Sequence, residues 1–230
     1  MYGWVKEIQH HISKQGSKLE LVRGLIDGRA LAAKEAGEDF LYLDHAYFNR
    51  DWDNAHFRLI RRGIHLTEVK PRPSDRMAKW HAVILPWKKI GRAIAVVPPS
   101  HYIAQYHGLD QLAVPAWFER TRERLDAVTG RPVIVRPKGG PLVPWLAEHD
   151  VWAVVTYCSV AGVEAAMAGY PVFSTPQCPS WPVNAGPLEK IDAPEYPERE
   201  PWAASLSYAC WCVADLPKMK LKDWDYECLG

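Results

Sequence analysis

Asp44 and His45 stand side by side where the apolar run Phe40 to Asp44 ends, with Tyr47 just beyond. Ligands of open α/β sheets bind beyond the carboxyl ends of strands, so this strand end is a place for chemistry. A carboxylate or an imidazole there can act as general base toward a hydroxyl. Neighbouring residues of an extended chain point to opposite faces, so only one of the two is expected to reach a cleft. Asp44 is the preferred base, because a carboxylate partly removed from water gains basicity. His45 is then free to steady a phosphate. In the purely structural alternative Asp44 is a turn or cap residue and His45 a surface group.

A second stretch with chemical potential is Val154 to Pro176. The apolar residues Trp152 to Val155 read as a buried parallel strand. Small and hydroxyl residues follow (Thr156, Cys158, Ser159, Ala161, Gly162), then a short helix from Val163 to Ala168, Gly169, and a strand from Pro171 to Ser174. Small residues before a helix leave backbone N–H groups and the helix dipole available to an anion. Glu164, in the first turn, can accept hydrogen bonds from a ribose. Equally, Gly162 and Gly169 can serve close packing and a helix stop, with Glu164 facing water. Neither the G-x-G-x-x-G fingerprint nor a G-x-x-x-x-G-K-[ST] loop is present. A third feature is Arg136-Pro-Lys138-Gly-Gly, which follows the strand Pro132 to Arg136 and offers a cationic clamp for a diphosphate.

The residues Thr156, Ser159, Ala161-Gly162, Glu164-Ala165 and Gly169-Tyr-Pro171-Val172 resemble the donor-binding segment of glycosyltransferases with two Rossmann-like lobes, the GT-B-like arrangement. The resemblance implies a nucleotide-sugar donor, a UDP-sugar in the first instance, with no separate cofactor; the sequence has no paired-carboxylate metal motif, so metal-independent chemistry is expected. By the same match Thr156 belongs to the donor loop, Ser159, Ala161 and Gly162 face the diphosphate, and Glu164 faces the ribose. The basic residue after the third strand, Arg136 or Lys138, meets the donor phosphate. The loop after the first strand of the donor lobe brings Ser100 and His101 near both substrates; Ser100 alone also reads as a helix N-cap. The whole chain resembles small phage-encoded members of this class that glycosylate hypermodified DNA bases. That wider resemblance implies a hydroxymethylated base (5-hydroxymethyl pyrimidine) as acceptor, double-stranded DNA as partner, and the host cytoplasm as location.

The elements that must position these groups alternate strand and helix. Strands are expected at 40–44, 93–97, 132–136, 152–156 and 171–174, which argues for an α/β fold with parallel sheets in two Rossmann-like lobes. At 230 residues the N-terminal lobe must be reduced. The expected division is an acceptor-side lobe over 1–90, a donor lobe over 91–201, and a helix and tail over 202–230 packing back on the first lobe. Leu19 to Ala36 reads as one helix with Gly24 and Gly28 as weak points, and Trp202 to Val213 as another. Asp215 to Gly230 reads as a polar tail carrying Trp224 and Tyr226.

Net charge is +1, but its distribution is uneven. From Arg58 to Arg92 ten bases meet two acids, whereas from Glu148 onward twelve acids meet five bases. Arg58, Arg61, Arg62, Arg76 and Lys79, with His65, Trp80, His81 and Trp87 nearby, fit a polyanion such as DNA; a solvated basic face is the alternative. No apolar run approaches a membrane span of roughly 20 residues, and the first residues lack a signal-peptide core. Five cysteines without C-x-x-C spacing read as reduced thiols of a cytosolic protein. Two rival functions accompany glycosyl transfer. One is a non-catalytic nucleotide or nucleotide-sugar binding protein, favoured by the reduced lobe. The other is a sugar-nucleotide isomerase or hydrolase of similar form.

Overall fold

A computed structural model describes residues 3–50, 54–109 and 113–218. Trp224 and Tyr226 of the expected tail lie outside the described residues. The chain divides into two units. One takes the residues up to Ala82 together with those from Ala203 onward, and the other runs from Val83 to Trp202.

The first unit opens with α1 (Gly3–Lys14), whose Val5, Ile8 and Ile12 recur at helical spacing and are buried. Next come β1 (Glu20–Arg23), α2 (Arg29–Glu35), β2 (Phe40–His45), β3 (His56–Arg61) and α3 (Asp75–Lys79). The sheet order is β1-β2-β3-β8, with β8 (Cys210–Cys212) contributed from the far end of the chain. Strands β1 and β2 are parallel, joined through α2, while β3 and β8 add in antiparallel fashion. The α/β class expected from the sequence is therefore found, with a mixed sheet in this unit in place of an all-parallel one. Leu21, Leu41, Leu43, Phe57, Leu59 and Trp211 meet α1 in one core.

Two expected helices are corrected. Leu19 to Ala36 is not one helix: Glu20–Arg23 pairs with β2, and the chain turns at Gly24 and Gly28, both at positive φ. Burial of Leu21 and Val22 beside a paired strand outweighs the helical preference of the segment. At the other end the helix expected over Trp202 to Val213 is α8 (Glu200–Ala209), which stops at Ala209, and Cys210-Trp-Cys212 extends to pair with His56–Arg58. The open edge of β3 supplies ladder hydrogen bonds that a longer helix would forgo, and Trp211 enters the core.

The second unit holds β4 (Ala93–Val97), α4 (His101–Tyr106), α5 (Ala113–Asp126), β5 (Val133–Val135), α6 (Leu142–Glu148), β6 (Val151–Thr156), α7 (Val160–Met167) and β7 (Val172–Ser174). Its sheet has the order β5-β4-β6-β7 and is wholly parallel, a Rossmann-like arrangement. The central strand β6 is buried along its whole length, as its unbroken apolar sequence requires. Chain order reverses between β4 and β6: β5 follows on one side of β4, and β6 returns to the other. Gly91 is fixed by packing, since a Cβ there would lie 2.5 Å from the Val151 carbonyl oxygen.

Candidate functional site

The reversal between β4 and β6 opens a crevice at their carboxyl ends, the usual ligand position in such sheets. The loops that border it are 98–100 and 157–159. Ser100 caps α4, its hydroxyl accepting from the Ile103 N–H at 3.2 Å. His101 is exposed, its ring 5.6 Å from that of Tyr102. Ser159 caps α7 and accepts from the Ala161 N–H at 3.1 Å. Thr156 is buried and donates to the Val97 carbonyl at 3.0 Å, tying the ends of β4 and β6 together.

The chain just after β7 covers this loop. Thr175 donates to the Tyr157 carbonyl at 2.6 Å, the Cys158 thiol to the Gln177 carbonyl, and the Ser159 N–H to Cys178 Sγ. Gly162 is buried: a Cβ on it would come within 2.5 Å of Ser180 Oγ, and its N–H already donates to the Ser159 carbonyl at 3.0 Å. The role of Gly162 as a phosphate-facing residue is thus corrected; its missing side chain admits Ser180. Gly162→Ala is expected to lower stability by about 1–3 kcal/mol through overpacking, and a urea unfolding curve checks it. Ala161 is half-buried beside the same cap, and Glu164 is half-buried further along α7.

Arg136 is also reassigned. Its guanidinium donates to the carbonyls of Pro137, Gly139 and Gly140 and lies 5.2 Å from the centre of the Trp145 ring. It closes its own turn instead of projecting toward a ligand. Lys138, on that turn, is exposed.

A cleft of about 730 Å³ opens at the carboxyl ends of β6 and β7. Thr156, Ser174 and Thr175 form its floor; Trp117, Thr121 and Arg124 of α5 form one wall, and Trp181, Asn184 and Pro187 another. Asn184 is held in place: it accepts from the Ser174 N–H at 2.7 Å and donates to the Gly186 carbonyl at 2.8 Å. Arg124 pairs with Glu189 at 2.5 Å on the rim. The volume falls within the roughly 300–1,000 Å³ of small-molecule sites. Aromatic walls over a hydroxyl-bearing floor suit a flat ring or a sugar. Of the expected donor residues, only Thr156 lines it. Trp117 and Trp181 went unassigned in the sequence because nothing local distinguishes them among eleven tryptophans.

In the first unit the carboxyl end of β2 forms a polar cluster. Asp44 accepts from Tyr42 Oη at 3.0 Å, from the His45 N–H at 2.7 Å and from Arg58 Nη2 at 3.0 Å. Arg58 is 2% exposed, and it also donates to the carbonyls of His45 (2.5 Å) and Ile64 (3.3 Å). Its guanidinium lies 5.1 Å from the Tyr47 ring centre. Burial pushes the Asp44 carboxyl up, but Arg58 and the hydrogen bonds outweigh it and hold the group below its ordinary range. The expectation that desolvation would make Asp44 basic is overturned by this buried counter-ion. Burial lowers the His45 imidazole, with Asp44 opposing and nearby arginines assisting, so the neutral form dominates at pH 7.

The basic block is used internally. Arg58 is buried and cannot meet a phosphate. Arg61 grips Asp39 through Nη2 at 2.6 Å, and Arg62 joins the same carboxylate. Arg76 donates to the Cys210 carbonyl at 2.5 Å and stacks 4.3 Å from the Trp211 ring centre, and Lys79 pairs with Asp215. His65 and Trp80 are buried. The expectation of a nucleic-acid face made from Arg58, Arg61, Arg62, Arg76 and Lys79 is therefore corrected for Arg58, and the other four spend their charge on this unit's own groups.

The fold and the cleft define the class: an α/β protein whose parallel, Rossmann-like sheet carries a small-molecule cleft at its carboxyl edge. Among solved structures the chain is similar to Thermosulfurimonas dismutans KpsC, beta Kdo 2,4 transferase, at 12% identity and a TM-score of 0.43, over 80% of this chain and 78% of that one. No protein-family profile and no curated protein sequence matches it. Among the described residues no helix is long and apolar enough to cross a membrane.

Proposed function

We propose that this chain transfers a glycosyl group from a nucleotide sugar to an acceptor hydroxyl, with the donor held by the second unit. The observation that carries the reading is the cleft at the ends of β6 and β7, where Trp117 and Trp181 flank the hydroxyls of Thr156, Ser174 and Thr175. A base or sugar ring stacks on a tryptophan, and the Ser174 hydroxyl, which accepts from Ser180, can donate to its polar edge. In the first unit His45 is the group suited to take the acceptor's proton, because a neutral imidazole at pH 7 accepts one whereas the Arg58-bound Asp44 carboxylate is a poor base. A UDP-sugar is the first donor to try.

The donor site is tested by Trp181→Ala, a half-exposed position where truncation leaves the core intact. Loss of one stacking contact is worth about 1–3 kcal/mol, so affinity for UDP and for a UDP-sugar should fall about tenfold or more in calorimetric titration. Unchanged affinity for every nucleotide that binds the parent would refute the cleft as donor site.

The narrowest form of the proposal has a hydroxymethylated pyrimidine in double-stranded DNA as acceptor. Internal pairing of Arg61, Arg62, Arg76 and Lys79 weighs against it, and a small acceptor is the better match. The second reading, a nucleotide-sugar binding protein without turnover, is favoured by the neutralised Asp44. Nucleotide release from a panel of UDP-, GDP- and dTDP-sugars, with and without hydroxymethylated DNA, separates these readings.

A further inference from the structure

The lining of the cleft at the ends of β6 and β7 carries no net charge. Its charged residues are one cation, Arg124, and one carboxylate, Glu195. Each is already answered. Arg124 donates to Glu189 Oε1 from Nη2 at 2.5 Å and from Nε at 3.2 Å, and Glu195 faces the Lys190 ammonium at 3.7 Å. An anion entering here would have to displace Glu189 to gain a partner, and would share the cleft with Glu195.

A hydroxyl has one proton and two lone pairs, so where its proton goes decides what it offers a ligand. Thr121 donates to the Trp117 carbonyl at 2.7 Å, Thr156 to the Val97 carbonyl at 3.0 Å and Thr175 to the Tyr157 carbonyl at 2.6 Å. Toward a ligand these three can only accept. Each end of the Asn184 amide already holds one bond, to the Ser174 N–H and to the Gly186 carbonyl. Ser174 is the exception, because a buried relay stands behind it. Ser180 Oγ, 3.1 Å from Cys178 Sγ, donates to Ser174 Oγ at 3.1 Å, and both Cys178 and Ser180 are fully buried. With one lone pair of Ser174 so occupied, its own proton is left for the cleft.

The floor thus presents lone pairs and one donor between aromatic walls. An ionised phosphate or carboxylate offers lone pairs alone, so against the threonines it would set oxygen against oxygen. A sugar ring offers the complement: hydroxyls that donate, a ring oxygen that accepts, and C–H faces for Trp117 and Trp181. The Trp117 ring is itself held edge-on to that of Tyr157 at 6.1 Å between centres, which fixes this wall.

We infer that this cleft selects an uncharged, hydroxyl-bearing ring, with Ser174 as the donor that orients it and the threonine oxygens as acceptors for its hydroxyls; an attached diphosphate lies outside. The inference rests on the donor-cleft reading and narrows it to the uncharged part of the donor, the ribose of the nucleoside or the transferred sugar.

The test uses the full chain, with uridine and methyl glucoside as neutral rings and inorganic pyrophosphate as the charged probe, followed by calorimetry and amide NMR shifts. At least one neutral ring should bind saturably, shift the amides of Thr121, Ser174 and Thr175, and keep its affinity from low to high salt. Pyrophosphate should neither shift those amides nor displace the ring. Binding of uridine alone assigns the ribose end, and of the glucoside alone the sugar end. Ser174→Ala should weaken the ring roughly three- to tenfold, the loss of one neutral hydrogen bond. Ser180 keeps Cys178 as a partner in that variant, so its unfolding curve should stay close to the parent's. The deoxygenated analogue of whichever ring binds (dideoxyuridine or a deoxyglucoside) should lose affinity by a similar factor. Saturable binding of neither ring, competition by pyrophosphate, or equal affinity in the Ser174→Ala or the deoxygenated comparison would overturn the inference. If pyrophosphate competes while Trp181→Ala still weakens UDP binding, the donor-cleft reading stands and this inference alone fails.

Discussion

His45→Ala is expected to reduce glycosyl transfer by about 10²–10⁴-fold, the usual share of a general base, while leaving nucleotide affinity unchanged. The imidazole is half-buried at the end of β2, and its own N–H and carbonyl are pinned by Asp44 and Arg58. The backbone bonds therefore fix where the residue sits at the strand end. Since burial lowers the imidazole below its ordinary value near 6.5, the basic form persists through neutral pH. Activity should stay level from pH 8 down to about 6.5 and fall only on further acidification. Single-turnover rates across that range are the measurement. If His45→Ala keeps full activity while Asp44→Asn is folded and inactive, the base is the carboxylate despite its arginine.

Arg58→Ala is expected to cost about 3–5 kcal/mol of folding stability, the range found when one partner of a buried ion pair is removed. The side chain is 2% exposed and answers Asp44 together with two backbone carbonyls, each of which would lose this one donor. Asp44 keeps 31% side-chain exposure, so water can reach it, and the lower half of the range is the better expectation. The pair also predicts a pH dependence. Asp44 is held below its unfolded value, so its contribution is complete above about pH 4–5 and is lost as pH falls through the lower folded value. Urea denaturation at pH 7 and pH 3 should show the parent losing more stability on acidification than Asp44→Asn does. Equal losses in the two proteins would remove the linkage.

Periodicity was enough for most of the second unit. Ala93 to Val97 and Val151 to Thr156 are apolar runs too short for helices, and alternating them with helical segments leaves a parallel sheet as the economical solution. Ser100 was legible as a cap because capping is a local reaction between a hydroxyl and an N–H a few residues on. The strand ending at Asp44-His45 was legible for the same reason, as a short apolar run with polar residues after it.

What local chemistry could not decide was partnership at long range. Arg58 reads as one cation in a basic block, and only its antiparallel pairing opposite Asp44 makes it a buried counter-ion and reverses the expected basicity of that carboxylate. Cys210-Trp-Cys212 reads as the end of a helix until the edge of β3, more than a hundred residues earlier, offers it a ladder. Gly162 reads as a phosphate-loop glycine until Ser180 arrives against it from beyond β7. Likewise Trp117 and Trp181 acquire a common cleft only when α5 and the chain after β7 converge at the sheet's carboxyl edge. Backbone propensity, burial pattern and capping act within a few residues and are written in order along the chain. Ion pairing, desolvation and cavity shape depend on which distant groups are brought within a few ångströms, and the tertiary fold alone determines that.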